Sequence, residues 1–327
     1  MSKPKVLVLT EHLHPDAMAM ISAHPELFEC RIANEKNWNE DLKKAHIFVL
    51  RSNLQLNRDD ILSAPNLEMI GRPAVGVDNV DLKTAGEKNV LVIHTPEENI
   101  ASTAELSIGL IIASARKLKL AFQSMSAGQW LRADCLGEEL AGSTLSLIGF
   151  GRVGKAVAKR LTAFDMNIQA VDPYLADDEF QSRGVKRVDF ETALKSSDII
   201  SLHVPLTDET FEMFRLAEFK KMKKNCRIIN MSRGKVIKEK DLIEALNSQW
   251  IEAAALDVFE EEPTKNQDLL QHPKVVSTPH IGSQTTKAKR AVCIGLIERM
   301  IEYYKDGKIR NLANEMFLKS VKEGSIK

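Results

Sequence analysis

The sequence predicts an α/β chain built from two doubly wound parallel-sheet domains, on three observations. Short β-rich runs alternate with amphipathic stretches from the start, a second such series opens near Thr144, and 327 residues suffice to bury two modest cores. In the first series, strands are expected at 5–10, 28–33, 47–51, 67–71 and 90–95, each bounded by polar or turn-forming residues. A long apolar-faced helix follows at 103–118, with Ser102 or Thr103 as its cap and Glu105 in its first turn. The crossing out of the first domain is placed just before it. After a polar stretch containing Gly128, Trp130 and Gly137, strands are expected at 144–149, 167–172, 198–204, 227–232, 253–258 and 275–278. The last long helix, at 284–304, comes after the second series is complete and is assigned back to the first domain. The expected division is therefore 1–96 with 284–327, and 97–283.

Composition narrows the function classes. Lysine plus arginine and aspartate plus glutamate both number 45, so the chain offers no net field for nucleic acid or an anionic membrane, and small molecules are the expected partners. Cys30, Cys135, Cys226 and Cys293 are widely separated with no CxxC pair, which gives neither a metal-ligand spacing nor a dense disulfide framework. No metal is expected, and a reducing cytoplasm fits. No stretch approaches the ~20 apolar residues of a membrane helix. The lysines at 220, 221, 223 and 224 read as a solvated helix end.

Gly149-Phe150-Gly151-Arg152-Val153-Gly154 directly follows an apolar strand and opens a helix, which is the context a dinucleotide fingerprint requires. Gly149 permits the tight turn, Gly151 lets backbone approach a pyrophosphate, and Gly154 lets helix and strand pack closely. With Arg152 and Val153 at the helix start, the free N–H groups there suit an anion. Asp172, about 20 residues on, suits the adenosine ribose hydroxyls and disfavours a 2′-phosphate, and Asp172-Pro173-Tyr174 brings no arginine to offset it. The expected cofactor is NAD.

Taking a hydride from a hydroxyl-bearing carbon needs a proton acceptor, a cation for a neighbouring carboxylate and a fixed nicotinamide. Three groups at expected strand ends suit that chemistry. Arg233 in Ser232-Arg233-Gly234 can grip a carboxylate in two places, His280 titrates near neutrality, and Glu262 can orient an imidazole and raise its pKa. Spacing alone does not bring them together. Arg233 also reads as a surface cation, Glu262 as one of three solvated glutamates, and His280 as a loop histidine bonded to backbone.

With Gly76 to Asp81, Ala104-Glu105-Leu106, Ala127 to Trp130, the glycine fingerprint, Ser232-Arg233-Gly234, Leu256 to Pro263 and Thr278 to Gly282, the chain resembles the D-2-hydroxyacid dehydrogenase family, and within it the phosphoglycerate dehydrogenase branch. The resemblance spans about 51–314. It implies Rossmann-like and flavodoxin-like domains with the active site in the cleft between them, closure excluding water. It implies Arg233, Glu262 and His280 as the catalytic three. It puts Asp257 and the backbone at Ser232 on the nicotinamide carboxamide, His203 and Pro205 near adenine, and Gly282 on the cofactor side. His203 reads equally as a strand-end residue without ligand contact. A homodimer is implied by similarity of the apolar helix from Leu106 and the stretch 123–140 to the family's dimer elements.

The branch also implies Arg51, Arg72 and Asn99 on the substrate, with Arg132 offered across a dimer interface, and hence oxidation of 3-phospho-D-glycerate to 3-phosphohydroxypyruvate, the first step to serine. A phosphate carries nearly two negative charges and calls for such cations. Arg72-Pro73-Ala74 departs from the Arg-Ala-Gly of many relatives, removing a backbone donor and a residue free to take positive φ. The chain ends soon after Asn314, so serine feedback through C-terminal regulatory domains is not expected. The nearest alternative is reduction of glyoxylate, hydroxypyruvate or a branched 2-keto acid. An alternative of another class is an NAD-sensing corepressor-like binding module.

Overall fold

The computed structural model describes residues 3–34, 36–51 and 54–318. The chain divides into two compact units, one formed by residues up to Asn99 together with those from Gln284 on, the other by Ile100–Ser283.

The first unit holds a five-stranded parallel sheet of β1 (Lys5–Leu9), β2 (Phe28–Ile32), β3 (Ile47–Val49), β4 (Met69–Arg72) and β5 (Leu91–His94), in the order β2-β1-β3-β4-β5. This is the flavodoxin-like order. Because successive side chains point to opposite faces, each strand feeds two cores. Leu7, Leu9, Ile47, Val49 and Met69 join Leu296, Ile297 and Met300 of helix Thr286–Asp306 on one face. Val8, Phe48, Ile70 and Val92 pack with Leu42, Ile61 and Ala85 on the other. Burial on both faces explains why the inner strands read as continuous apolar runs, while the edge strand β2 keeps Glu29 and Arg31 exposed. The final helix thus belongs to the first unit. Thr285 caps it by accepting from the Ala288 N–H at 3.1 Å, and Gly307, at φ 70°, ends it.

The second unit holds β6 (Thr144–Ile148), β7 (Asn167–Val171), β8 (Lys186–Arg187), β9 (Ile199–Leu202), β10 (Arg227–Asn230), β11 (Ala253–Leu256) and β12 (Val275–Ser277), all parallel, in the order β12-β11-β10-β9-β6-β7-β8. The order reverses between β6 and β9, and a doubly wound sheet opens its ligand crevice at such a switch, outside the carboxyl ends of the strands. The two-residue β8 is too short and too polar to show as an apolar run, and the sequence reading omitted it.

One expected helix differs. The segment expected at 103–118 is helical over Ile100–Ala115, so neither Ser102 nor Thr103 caps it: both lie inside it, Ser102 buried, and Glu105 falls beyond its first turn. Its inward face carries Ser102, Ser107 and Ser114, and the hydroxyls of Ser107 and Ser114 donate to helix carbonyls of Thr103 and Ile111. At the other end Lys117 takes a left-handed φ of 50° and a second helix, Leu118–Ser126, follows. No helix among the described residues is long and apolar enough to cross a membrane.

Candidate active site

At the switch point, β6 runs into the turn Gly149–Gly151 and helix Arg152–Leu161. Gly149 has φ 91°, and a Cβ there would lie 2.6 Å from the His203 carbonyl oxygen, so both conformation and space require glycine. A Cβ on Gly154 would lie 2.4 Å from the Gly149 carbonyl oxygen, which is the close helix–strand approach. Position 151 has nothing within 4 Å of an added Cβ, leaving that side of the turn open to a phosphate at the start of the helix, where the dipole favours an anion. Asp172, directly after β7, accepts from Phe150 N at 3.0 Å through Oδ2 and from Tyr174 N at 3.1 Å through Oδ1. It therefore fixes the glycine turn. The cradle fits a dinucleotide.

Beyond β9, the His203 ring meets Ser201 Oγ at 2.9 Å through Nε2, while Nδ1 is buried without a hydrogen-bond partner. Burial pushes its pKa down to about 4, so the ring is neutral at pH 7. Its main chain is what borders Gly149. Pro205, two residues on, is exposed, and its carbonyl accepts from Thr210 Oγ1 at 2.6 Å.

The loops after β10, β11 and β12 carry the proton-active groups. Asn230, which the sequence reading missed, closes the first loop. Its Oδ1 accepts from Ser232 N at 3.0 Å and Ser232 Oγ at 2.8 Å, and its Nδ2 donates to the Arg233 carbonyl at 2.9 Å. Gly234 then allows the closest approach in the site: a Cβ there would lie 1.8 Å from the Phe259 carbonyl carbon. That contact seats the Arg233 loop against the 257–262 loop. Glu260 is not a solvated carboxylate as its neighbours suggested. Glu260 Oε1 accepts from Glu239 N at 2.7 Å, and Glu239 Oε1 accepts from Glu260 N at 2.8 Å.

Asp257 is 1% exposed, and its carboxylate gathers the loop after β12. Oδ1 accepts from Thr278 Oγ1 at 2.6 Å and Ile281 N at 2.8 Å, and Oδ2 accepts from Gly282 N at 2.9 Å. Gly282 is held tightly, with an added Cβ only 3.2 Å from Asp257 Oδ2. His280, between these anchors, takes φ 51°. Its Nδ1 lies 2.6 Å from Glu262 Oε2, while Glu262 Oε1 accepts from Phe259 N at 3.1 Å. The bond to Glu262 raises the His280 pKa above its ordinary value against the opposing effect of burial. Burial works to raise the Glu262 pKa, but the bond from His280 and the charges of His280 and Arg233 hold it below the usual range. Arg233 lowers both, placing its charge near the pair. Its Nη1 donates to the Ser232 carbonyl at 2.8 Å. Arg233, Glu262 and His280 thus meet on three consecutive loops.

In the first unit, Arg72 ends β4 buried, donating from Nε to Asn79 Oδ1 at 3.0 Å. Arg51, past β3, pairs with Glu11. Asn99 closes this unit and is buried. Ala74 takes no positive φ, so its loop does not need the glycine of relatives, and its carbonyl accepts from Thr95 N at 3.0 Å. In the second unit Arg132 is exposed. Arg187 of β8 was also missed. Its Nη2 donates to the Asp172 carbonyl at 3.4 Å and Nη1 pairs with Asp177 at 2.6 Å, so an arginine does stand beside Asp172, already engaged by an acid.

Residues 108–282 match the family described as D-isomer specific 2-hydroxyacid dehydrogenase, NAD binding domain. The chain is 40% identical over 324 residues to the D-3-phosphoglycerate dehydrogenase of Methanocaldococcus jannaschii, covering 99% of this chain and 62% of that one. It thus spans less than two thirds of that relative's length. It is 38% identical over 305 residues to the hydroxypyruvate reductase of Thermotoga maritima, covering 92% of each. Among solved structures it is similar to D-lactate dehydrogenase from Aquifex aeolicus in complex with NAD and lactic acid, with TM-score 0.83, 28% identity and coverage of 92% of this chain and 95% of that one.

Proposed function

The chain belongs to the D-isomer specific 2-hydroxyacid dehydrogenase family, with NAD as its cofactor, and from that premise we propose that it oxidises 3-phospho-D-glycerate to 3-phosphohydroxypyruvate. The observation that carries the chemistry is the 2.6 Å contact of His280 Nδ1 with Glu262, made beside the Arg233 charge. Because Nδ1 is committed to Glu262, Nε2 is the ring atom left to take the hydroxyl proton. Glu262 steadies the imidazolium so formed, and Arg233 holds the substrate carboxylate. Bound NAD supplies the hydride acceptor. Gly149, Gly151, Arg152, Val153 and Gly154 hold its pyrophosphate and Asp172 its ribose, while Ser232, Asp257 and Gly282 lie on the nicotinamide side. Arg51, Arg72 and Asn99 are the substrate residues of the first unit.

One observation favours a second reading. Arg51 is paired with Glu11, and a guanidinium already neutralised by a carboxylate offers less to a phosphate. An unphosphorylated keto acid such as hydroxypyruvate or glyoxylate needs no such cation. Initial rates with NAD and 3-phospho-D-glycerate, beside NADH with hydroxypyruvate and glyoxylate, test both. A preference for the phosphorylated acid is expected, lost on Arg51→Gln and Arg72→Gln, whereas preference for an unphosphorylated acid selects the second reading. The same protein is proposed to act as a homodimer through Phe122, Met125, Trp130 and Leu136, all exposed on helix Leu118–Ser126 or in the ten residues after it, a stretch that also holds the exposed Arg132.

A further inference from the structure

The loop from β5 to Asn99 is fastened by a buried ion pair that the reaction scheme above does not use. Glu98 Oε1 lies 2.7 Å from Arg299 Nη1, with side chains only 16% and 4% exposed. The other oxygen, Oε2, accepts from the Glu97 backbone N–H at 3.1 Å, so one carboxylate ties the loop's own backbone to the final helix. Arg299 is held in turn. Its Nη1 donates to the Gly295 carbonyl at 2.7 Å and its Nε to Asn311 Oδ1 at 2.8 Å, while the Asn311 carbonyl accepts from His94 N at 3.2 Å. At the loop's start, Thr95 N donates to the Ala74 carbonyl, and His94 Nδ1 lies 2.8 Å from the Val75 carbonyl oxygen. The two loops that follow β4 and β5 are thereby joined into one piece, with Arg299 at its back.

Gly295 shows that the pair is built into the helix. A Cβ there would lie 2.5 Å from Glu98 Oε1 and 2.7 Å from Arg299 Nη1, so the interior of a 21-residue helix carries a glycine, unfavourable for helix, to admit a carboxylate. A buried charge pair contributes little net stability against an apolar replacement, but leaving one partner alone is costly. Its value lies in fixing geometry.

We propose that Arg299, through its buried ion pair with Glu98 over Gly295, is a positioning residue that holds Asn99 in place for the 2-hydroxy acid. This rests on Asn99 being a substrate residue, as in the function proposed above. Arg299 touches neither substrate nor cofactor, so its loss should act on KM for the acid and leave NADH affinity alone.

The test measures steady-state kinetics, the Kd for NADH by fluorescence, and amide hydrogen exchange at residues 97–99 in Arg299→Met, Arg299→Lys, Glu98→Gln and the double variant Glu98→Gln/Arg299→Met. Arg299→Met is expected to raise KM for the acid at least tenfold, with Kd for NADH within twofold of wild type and exchange at 97–99 at least tenfold faster. Arg299→Lys should recover most of the loss, and the double variant should be better folded than Arg299→Met yet keep the high KM. Gly295→Ala, which retains both charges but crowds them, should raise KM in the same direction if Arg299→Met does not fold. Unchanged exchange at 97–99, or an Arg299→Met that loses thermal stability with KM intact, overturns the proposal. Should the wild type turn over no 2-hydroxy or 2-keto acid, the proposed function fails by itself, and exchange at 97–99 still decides whether Arg299 orders the loop.

Discussion

At the scale of single residues, the pairing of His280 with Glu262 makes a signed prediction about pH. The bond from Glu262 is the leading reason the His280 pKa is raised. Oxidation of the hydroxy acid needs a neutral ring, so its kcat/KM develops only as pH rises through that raised pKa. Reduction of the keto acid needs the protonated ring and is lost as pH rises through the same value. Replacing Glu262 by Gln removes the raising interaction while burial and Arg233, which lower the pKa, remain. Both limbs should therefore move to lower pH, and kcat should fall by roughly 10²-fold, within the usual worth of a positioned acid–base group. A profile that keeps its midpoint in Glu262→Gln would show that another group sets it. These two residues were legible as candidates because few side chains suit proton transfer, but not as a pair. Their meeting depends on the 257–262 and 278–282 loops, which no periodicity encodes.

The elements carry the reason those loops meet. Each follows a strand of one parallel sheet, β10, β11 and β12, which are neighbours in the order of the sheet. Two tight connections set the last ångströms. Gly234 leaves no room for a side chain against Phe259, and Asp257 gathers three donors from the 278–282 loop. Gly234→Ala should displace the Arg233 loop, cutting kcat/KM by about 10²-fold or more, while the glycine turn after β6, two strands away, stays in place, so that the Kd for NADH changes far less. Asp257→Ala should cost on the order of 3 kcal/mol, since three donors lose a charged acceptor, read as a lower midpoint in denaturant at unchanged slope. The central strands were legible to within a few residues because burial on both faces makes them apolar runs, whereas the exposed two-residue edge strand β8 was not. Helix Ile100–Ala115 was displaced because its first two residues, Ile100 and Ala101, precede the hydroxyls at 102 and 103 that read as a cap. The lysines at 220–224 do follow a helix end, Leu216–Phe219, with Lys220, Lys221 and Lys224 exposed, as the sequence suggested, but it could not show their partners. Lys221 bonds Glu191, Lys223 bonds Asp198, and Lys220 stands 4.7 Å over the Trp250 ring, partners that lie far away in sequence.

For the whole molecule, the sequence disclosed the two sheets and the return of the last helix, because both follow from element order. Assembly follows from no such rule and has to be argued from surface. Phe122, Met125, Trp130 and Leu136 are 66%, 59%, 78% and 79% exposed, within fifteen residues of chain. Phe122 and Met125 are three apart on one helix and share a face. Large aromatics bury about 150–250 Å² each, so Phe122 and Trp130, with Met125 and Leu136 beside them in the chain, can supply a share of the ~800 Å² per partner that a stable interface removes from water. A lone exposed apolar residue is ordinary, whereas four together are expected to be covered. The solution mass should therefore be twice the 36.6 kDa of the chain. Phe122→Glu with Trp130→Glu, which places charges where apolar surface should be buried, should return it to a single chain in sedimentation equilibrium, with NAD affinity retained. If Arg132 serves the partner's substrate, that monomer should also show a raised KM for the phosphorylated acid. A wild-type chain that sediments as a monomer, or a charged variant that stays dimeric, would place the covering of this patch elsewhere.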